Sequence, residues 1–289
     1  MTSLLFWFIA WIEDNVTFLP FVLMMVTGLL MMWVNHLFAL IRIFSRMIAS
    51  SFLVFTTALI IVPDIGGLQL EATYLQFCLI SFLILFFSCY QYPKAQGVIL
   101  YAFLMIGLAS LVFKQILFIV PLLWLLTGYC MVTFSTKIWL SSLFGIGLPY
   151  LFVFTYYMLV GTPSEDMTLL HNWEFCHAFN FNEVSTTAIV SFCSSSLLSG
   201  LGIVHLVREG HKDKVRTRMM YQIFIAIAIF MVIMTLIQPI HIFRYTALQL
   251  IATSAMMGRF FAMTDSKQSN ITFITIVSLA YILTIYNLF

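Results

Sequence analysis

Apolar residues in this chain come in long blocks separated by short polar interruptions, and that spacing predicts the elements. Ten blocks stand out, over residues 17–40, 47–62, 73–91, 96–113, 116–134, 138–160, 184–207, 219–237, 241–262 and 270–287. About 20 mostly apolar residues in a helix cross a hydrocarbon core of roughly 30 Å. The blocks run near that length, the second being the shortest. Lipid offers backbone groups no partners, so each block is expected to be helical. Strands of an outer-membrane barrel alternate apolar and polar positions, and LLFWFIAW and IFIAIAIFMVIM do not. The expected fold is an all-α polytopic bundle of about ten transmembrane helices, forming a single domain over residues 1–289. The opening stretch, MTSLLFWFIAW, is too short to cross. Residues 1–16 are expected to lie in the interface or dip in as a half-helix, with Trp7 and Trp11 near the headgroups.

Composition reinforces the pattern. The chain is 62% hydrophobic, 17% aromatic and 8% charged, with a mean hydropathy of +1.05. Soluble domains carry about 25% charged residues, so this chain has too few charges to cover a water-facing surface. A net charge of +2, with no basic patch interleaved with aromatics, excludes a nucleic-acid partner. Membrane lipid is the expected surrounding. The five cysteines form no CxxC pair. Four lie within apolar blocks and read as small buried hydrophobes. Cys176 lies in an expected loop, and neither a disulfide framework nor a zinc site is supported. No Lys or Arg precedes Arg42, so the start is not expected to be a cleavable signal.

Charge sets the orientation. Five of the thirteen Lys and Arg fall in REGHKDKVRTR, residues 208–218. Basic residues concentrate on the cytoplasmic side of membrane proteins. With that loop inside and ten alternating spans, Arg42, Arg46, Lys94, Lys137, Arg208, Lys212, Lys214, Arg216, Arg218, Arg259 and Lys267 all fall inside. Only Lys114 and Arg244 fall outside. Glu13, Asp14, Asp64, Glu71, Glu165, Asp166, Glu174 and Glu183 fall outside as well. Both termini then face outward. The basic stretch is an orientation signal, with anionic lipid headgroups as a secondary partner. The one long loop, 161–184, is on the outer side and carries Trp173, Phe175, Phe179 and Phe181. It reads either as an amphipathic surface segment or as a cover over a cavity.

Polar groups inside a membrane are costly and mark candidate sites. Lys114 either snorkels to the outer interface or faces a cavity and holds an anion. In IQPIHIFRYTALQ, residues 237–249, His241, Tyr245 and Gln249 recur at spacing four with Arg244 beside them. Such a stripe suggests a wall facing protein or water. Arg244 either pairs with an outer acid, such as Glu13 or Asp14, or joins Lys114 around a phosphate, which a guanidinium can grip with two N–H groups. A polyprenyl phosphate would be a ligand of that kind. Glu13 and Asp14 read as helix capping or as an acidic site of the kind used by enzymes acting on lipid-linked sugars. The sequons at Asn15 and Asn270 read as chance. Ser191, Ser195 and Ser199, followed by Gly200 and Gly202, are small residues at helix spacing and read as a packing face. HExxH, Walker and dinucleotide fingerprints are absent from the sequence, and no metal or cofactor is expected.

Three stretches carry a resemblance: YAFLMIGLASLVFKQILFIVPLLWLLTG (101–128), FSTKIWLSSLFGIGLPYLF (134–152) and PIHIFRYTALQLIATSAMMGRFF (239–261). In order and spacing the chain resembles a family of multi-pass membrane proteins of unknown function found in Bacteroidota. The resemblance covers most of the chain from TFLPF onward and implies a bacterial inner-membrane protein. It carries over no catalytic residues. Two functions are expected to compete: a non-enzymatic subunit or scaffold with protein partners in a cell-envelope assembly, and a lipid-phosphate handler, either a flippase-like carrier or a glycosyltransferase-like enzyme.

Overall fold

The computed structural model describes residues 18–41, 46–60, 67–92, 95–130, 135–160, 184–210, 213–263 and 267–288. The expected interfacial segment 1–16, with Glu13 and Asp14, lies outside the described residues, as does the long loop from 161 to 183. Among the described residues every element is helical: α1 (Phe18–Phe38), α2 (Met47–Ile60), α3 (Leu68–Ser88), α4 (Gln96–Val112), a 3-10 turn (Lys114–Ile119), α5 (Val120–Tyr129), α6 (Thr136–Val160), α7 (Thr186–Glu209), α8 (Val215–Ile237), a second 3-10 turn (Pro239–His241), α9 (Ile242–Met263) and α10 (Lys267–Leu288). Each of the ten α-helices falls on one of the apolar blocks. Five, α1, α3, α6, α7 and α8, are long and apolar enough to cross a membrane.

Among the starts that differ from the sequence pattern, two have visible reasons. Helix α3 opens at Leu68 rather than at 73. Gly67, at φ 81°, breaks the chain just before it. The helix then takes in Glu71, whose charge suits the positive end of a helix dipole. The fifth block opens as a 3-10 turn before Pro121 sets the first turn of α5, a position where proline's missing N–H costs nothing.

The chain divides into two compact units, Cys78–Cys176 and Met1–Phe77 with His177–Phe289. In the first, α4 and α6 cross closely at two glycines. A Cβ on Gly145 would stand 2.5 Å from the Leu100 carbonyl oxygen, and one on Gly107 2.8 Å from that of Ile146. Tyr150 then reaches across to donate to Ser110 Oγ at 2.8 Å, and Trp124 Nε1 donates to Ser142 Oγ at 2.9 Å.

The second unit is built around α9. Every residue from Tyr245 to Arg259 is buried, on all sides of the helix. Helix α9 is therefore enclosed by protein, and Gln249, Thr253 and Ser254 on it find their partners there. Helices α2, α7 and α8 pack against it, together with the start of α3. Phe55, Ala58, Ala72, Ala247, Leu250, Met257 and Ala280 form an apolar cluster on one of its sides. Helix α2 approaches where Ile48 Cα would stand 2.7 Å from a Cβ on Gly258, and Ser51 Oγ donates to the Ser254 carbonyl at 3.0 Å. On α7, Ser191, Ser195, Ser199 and Gly202 are all buried. A Cβ on Gly202 would meet Met256 Cβ at 2.8 Å, whereas Gly200 has nothing within 4 Å and is exposed. Gly202 belongs to the packing face and Gly200 does not, because positions two apart on a helix are rotated by about 200°.

Candidate functional site

Polar side chains gather at both ends of α9 and at its middle. At the amino-terminal end, Pro239 starts a short 3-10 turn that carries His241 and leads straight into α9. This brings His241, Arg244 and Tyr245 onto neighbouring turns. Arg244 Nε and Nη2 both donate to Glu71 Oε2, at 2.8 and 2.6 Å. Its Nη1 lies 2.9 Å from His241 Nδ1. Arginine donates only, so Nδ1 is the accepting atom of this contact. The guanidinium is thus closed on three of its nitrogens by protein. The Arg244 side chain keeps 21% exposure and that of Glu71 32%. The partner of Arg244 is Glu71, from the first turn of α3, an acid the charge pattern placed on the same side without singling it out.

Tyr245 is buried and its hydroxyl donates to Gln238 Oε1 at 2.7 Å. One turn on, Gln249 is wholly buried between two serines of α7, accepting from Ser195 Oγ at 3.4 Å and donating to Ser199 Oγ at 3.2 Å. From the opposite side, Gln76 of α3 donates to the Ala247 carbonyl at 2.9 Å. The hydroxyls of Thr246, Thr253 and Ser254 donate to carbonyls of α9 itself, a common use of hydroxyls in helices. They present nothing to a ligand.

At the other end of α9, Arg259 is 3% exposed and pairs through Nη1 with Asp213 Oδ2, whose side chain is 6% exposed. The guanidinium lies over the Tyr221 ring, 4.9 Å from its centroid. The Tyr221 hydroxyl in turn donates to the Leu40 carbonyl at 3.3 Å. Leu40 sits in a turn that follows α1, where Ala39 takes φ 47° and Ile41 N donates to Asn35 Oδ1 at 3.1 Å. One buried junction thus ties the end of α1, the α7–α8 turn, α8 and α9. The two ion pairs are about 22 Å apart along the axis, at 1.5 Å per residue.

Of the residues singled out by sequence, Arg244, Tyr245 and Gln249 line α9, and His241 sits in the 3-10 turn just ahead of it. Lys114 is half-buried in the 3-10 turn after α4 and belongs to the Cys78–Cys176 unit. Glu71, Gln76, Asp213, Tyr221 and Arg259 were not singled out as a site. Among the described residues, no group of three or more His, Cys, Asp or Glu could hold a metal ion.

The fold and these pairings define an all-helical protein with several helices of membrane-crossing length and a set of buried polar pairings along α9. Compared with protein-family models, curated proteins and solved structures, the chain matches none.

Proposed function

We propose that this chain is a multi-pass protein of the bacterial inner membrane, and that it serves as a non-enzymatic subunit or scaffold of a cell-envelope assembly. The observation that carries the reading is the closure of Arg244 by Glu71 and His241. The strongest candidate for chemistry is spent on joining α3 to α9. Gln249 joins α7 to α9, and Arg259 joins the α7–α8 turn to α9, in the same manner. Support for the alternation of the spans, though not for which side is cytoplasmic, comes from α9 itself. The residues that meet at each of its ends, Glu71 with Arg244 and Asp213 with Arg259, are those the charge pattern assigns to a common side.

The competing reading is a lipid-phosphate handler. It draws on the partial exposure of Arg244, but a phosphate would have to displace Glu71 from the guanidinium. Native mass spectrometry of the protein extracted gently from its own membrane separates the two. The scaffold reading predicts a second protein at fixed stoichiometry. A monomer that carries a polyprenyl phosphate, and loses it on Arg244→Ala, would overturn it.

A further inference from the structure

The α7–α8 turn carries a cation-rich surface from which one of the stretch's two acids, Asp213, is turned inward. Arg208, Lys214, Arg216 and Arg218 are exposed. Asp213, in their midst, is withdrawn to Arg259 with its side chain almost entirely buried. Glu209, half-buried, is the other acid of the stretch. Two further segments extend this surface. Arg46, exposed, stands just ahead of Ile48, which packs on Gly258 next to Arg259. Arg216 lies over the Phe38 ring of α1, 5.6 Å from its centroid. Helix α8 starts directly behind Lys214, and its positive dipole end adds charge of the same sign.

The fold therefore does what sequence alone does not. It subtracts an acid from the loop and brings in an arginine from a distant segment. All of this sits where the apolar helices α1, α7 and α8 end, which is the depth of headgroups if those helices span. We infer that this surface, Arg46 with Arg208, Lys214, Arg216 and Arg218, is a docking site for anionic phospholipid headgroups. The inference is independent of the scaffold reading. The buried Arg259–Asp213 pair has a positioning part: by holding Asp213 inward it keeps the surface cationic.

A basic residue near an anionic surface strengthens association by up to about fivefold, so loss of two is a readable change. The test uses the full chain in neutral detergent, incubated with equal amounts of phosphatidylglycerol and phosphatidylcholine, with retained lipid counted by native mass spectrometry. Phosphatidylglycerol is expected to be retained about tenfold over phosphatidylcholine. Lys214→Gln with Arg218→Gln is expected to lower its retention about tenfold and leave phosphatidylcholine unchanged. Added salt should weaken retention on the unsubstituted chain, and inorganic phosphate should compete no better than chloride at equal ionic strength. Equal retention of the two lipids overturns the proposal, as does retention that survives the double substitution. Displacement by inorganic phosphate beyond the salt effect would show a free-phosphate site instead. If the doubly substituted chain does not fold, the salt series decides, and salt-insensitive retention rejects the docking site.

Discussion

Arg244 and Glu71 are 173 positions apart in the chain and share one carboxylate oxygen at 2.8 and 2.6 Å. The contact fixes the start of α3 against the start of α9. With Gln76 on the Ala247 carbonyl a turn further along, it shows α3 and α9 running in the same direction there. In a bundle whose helices are mostly apolar, such pairs select one register. Apolar surfaces slide past each other with little penalty, whereas a charge left without its partner in a low-dielectric interior is strongly unfavourable.

The junction at the far end of α9 gives the largest expected effect of any single substitution. Arg259→Met strands Asp213 in the interior, and the expected loss is about 3–5 kcal/mol. Adding Asp213→Asn removes the stranded charge and should recover part of that loss. Thermal unfolding in detergent checks the order: the single variant should melt lower than the double.

Two neighbouring glycines of α7 should respond in opposite directions. Gly202→Ala drives a methyl to 2.8 Å from Met256 Cβ, an overpacking expected to cost about 1–3 kcal/mol. Gly200→Ala meets nothing within 4 Å and removes glycine's helix penalty, a gain of about 0.5–1 kcal/mol. Melting temperatures shifting the same way in both variants would contradict the assigned face.

Ala39 closes α1 with φ at 47°, a conformation glycine adopts without strain. Ala39→Gly should stabilise the chain by about 0.5–1 kcal/mol, measured as a raised denaturation midpoint. A lowered midpoint would mean that the left-handed turn ahead of Leu40 is not adopted.

How far the sequence reveals this molecule depends on the range of each interaction. Helices are legible because their signal is local: runs of apolar residues long enough to be helical in lipid. The stripe of His241, Tyr245 and Gln249 is legible for the same reason, since spacing four keeps residues on one face. Partners are not. Nothing near Glu71 in the chain connects it with Arg244, and Asp213 within a basic loop reads as a solvated charge until Arg259 is placed beneath it. The choice between Gly200 and Gly202 is lost because both lie in one small-residue stretch, and only the rotational setting of α7 against Met256 separates them. The start of α3 was missed because Gln69 and Glu71 are polar and lower the apparent hydropathy. Both sit on a helix whose first turn meets protein.

The central claim is that Arg244 is a structural partner of Glu71, and a double-mutant cycle tests it most directly. Thermal stability is measured for Glu71→Gln, Arg244→Gln and the two together. The account predicts a loss in each single variant and a double variant less damaged than their sum, with a coupling energy of about 0.5–3 kcal/mol. Strictly additive effects, or an Arg244→Gln chain as stable as the unsubstituted one, would contradict it and return Arg244 to the role of a ligand-binding cation.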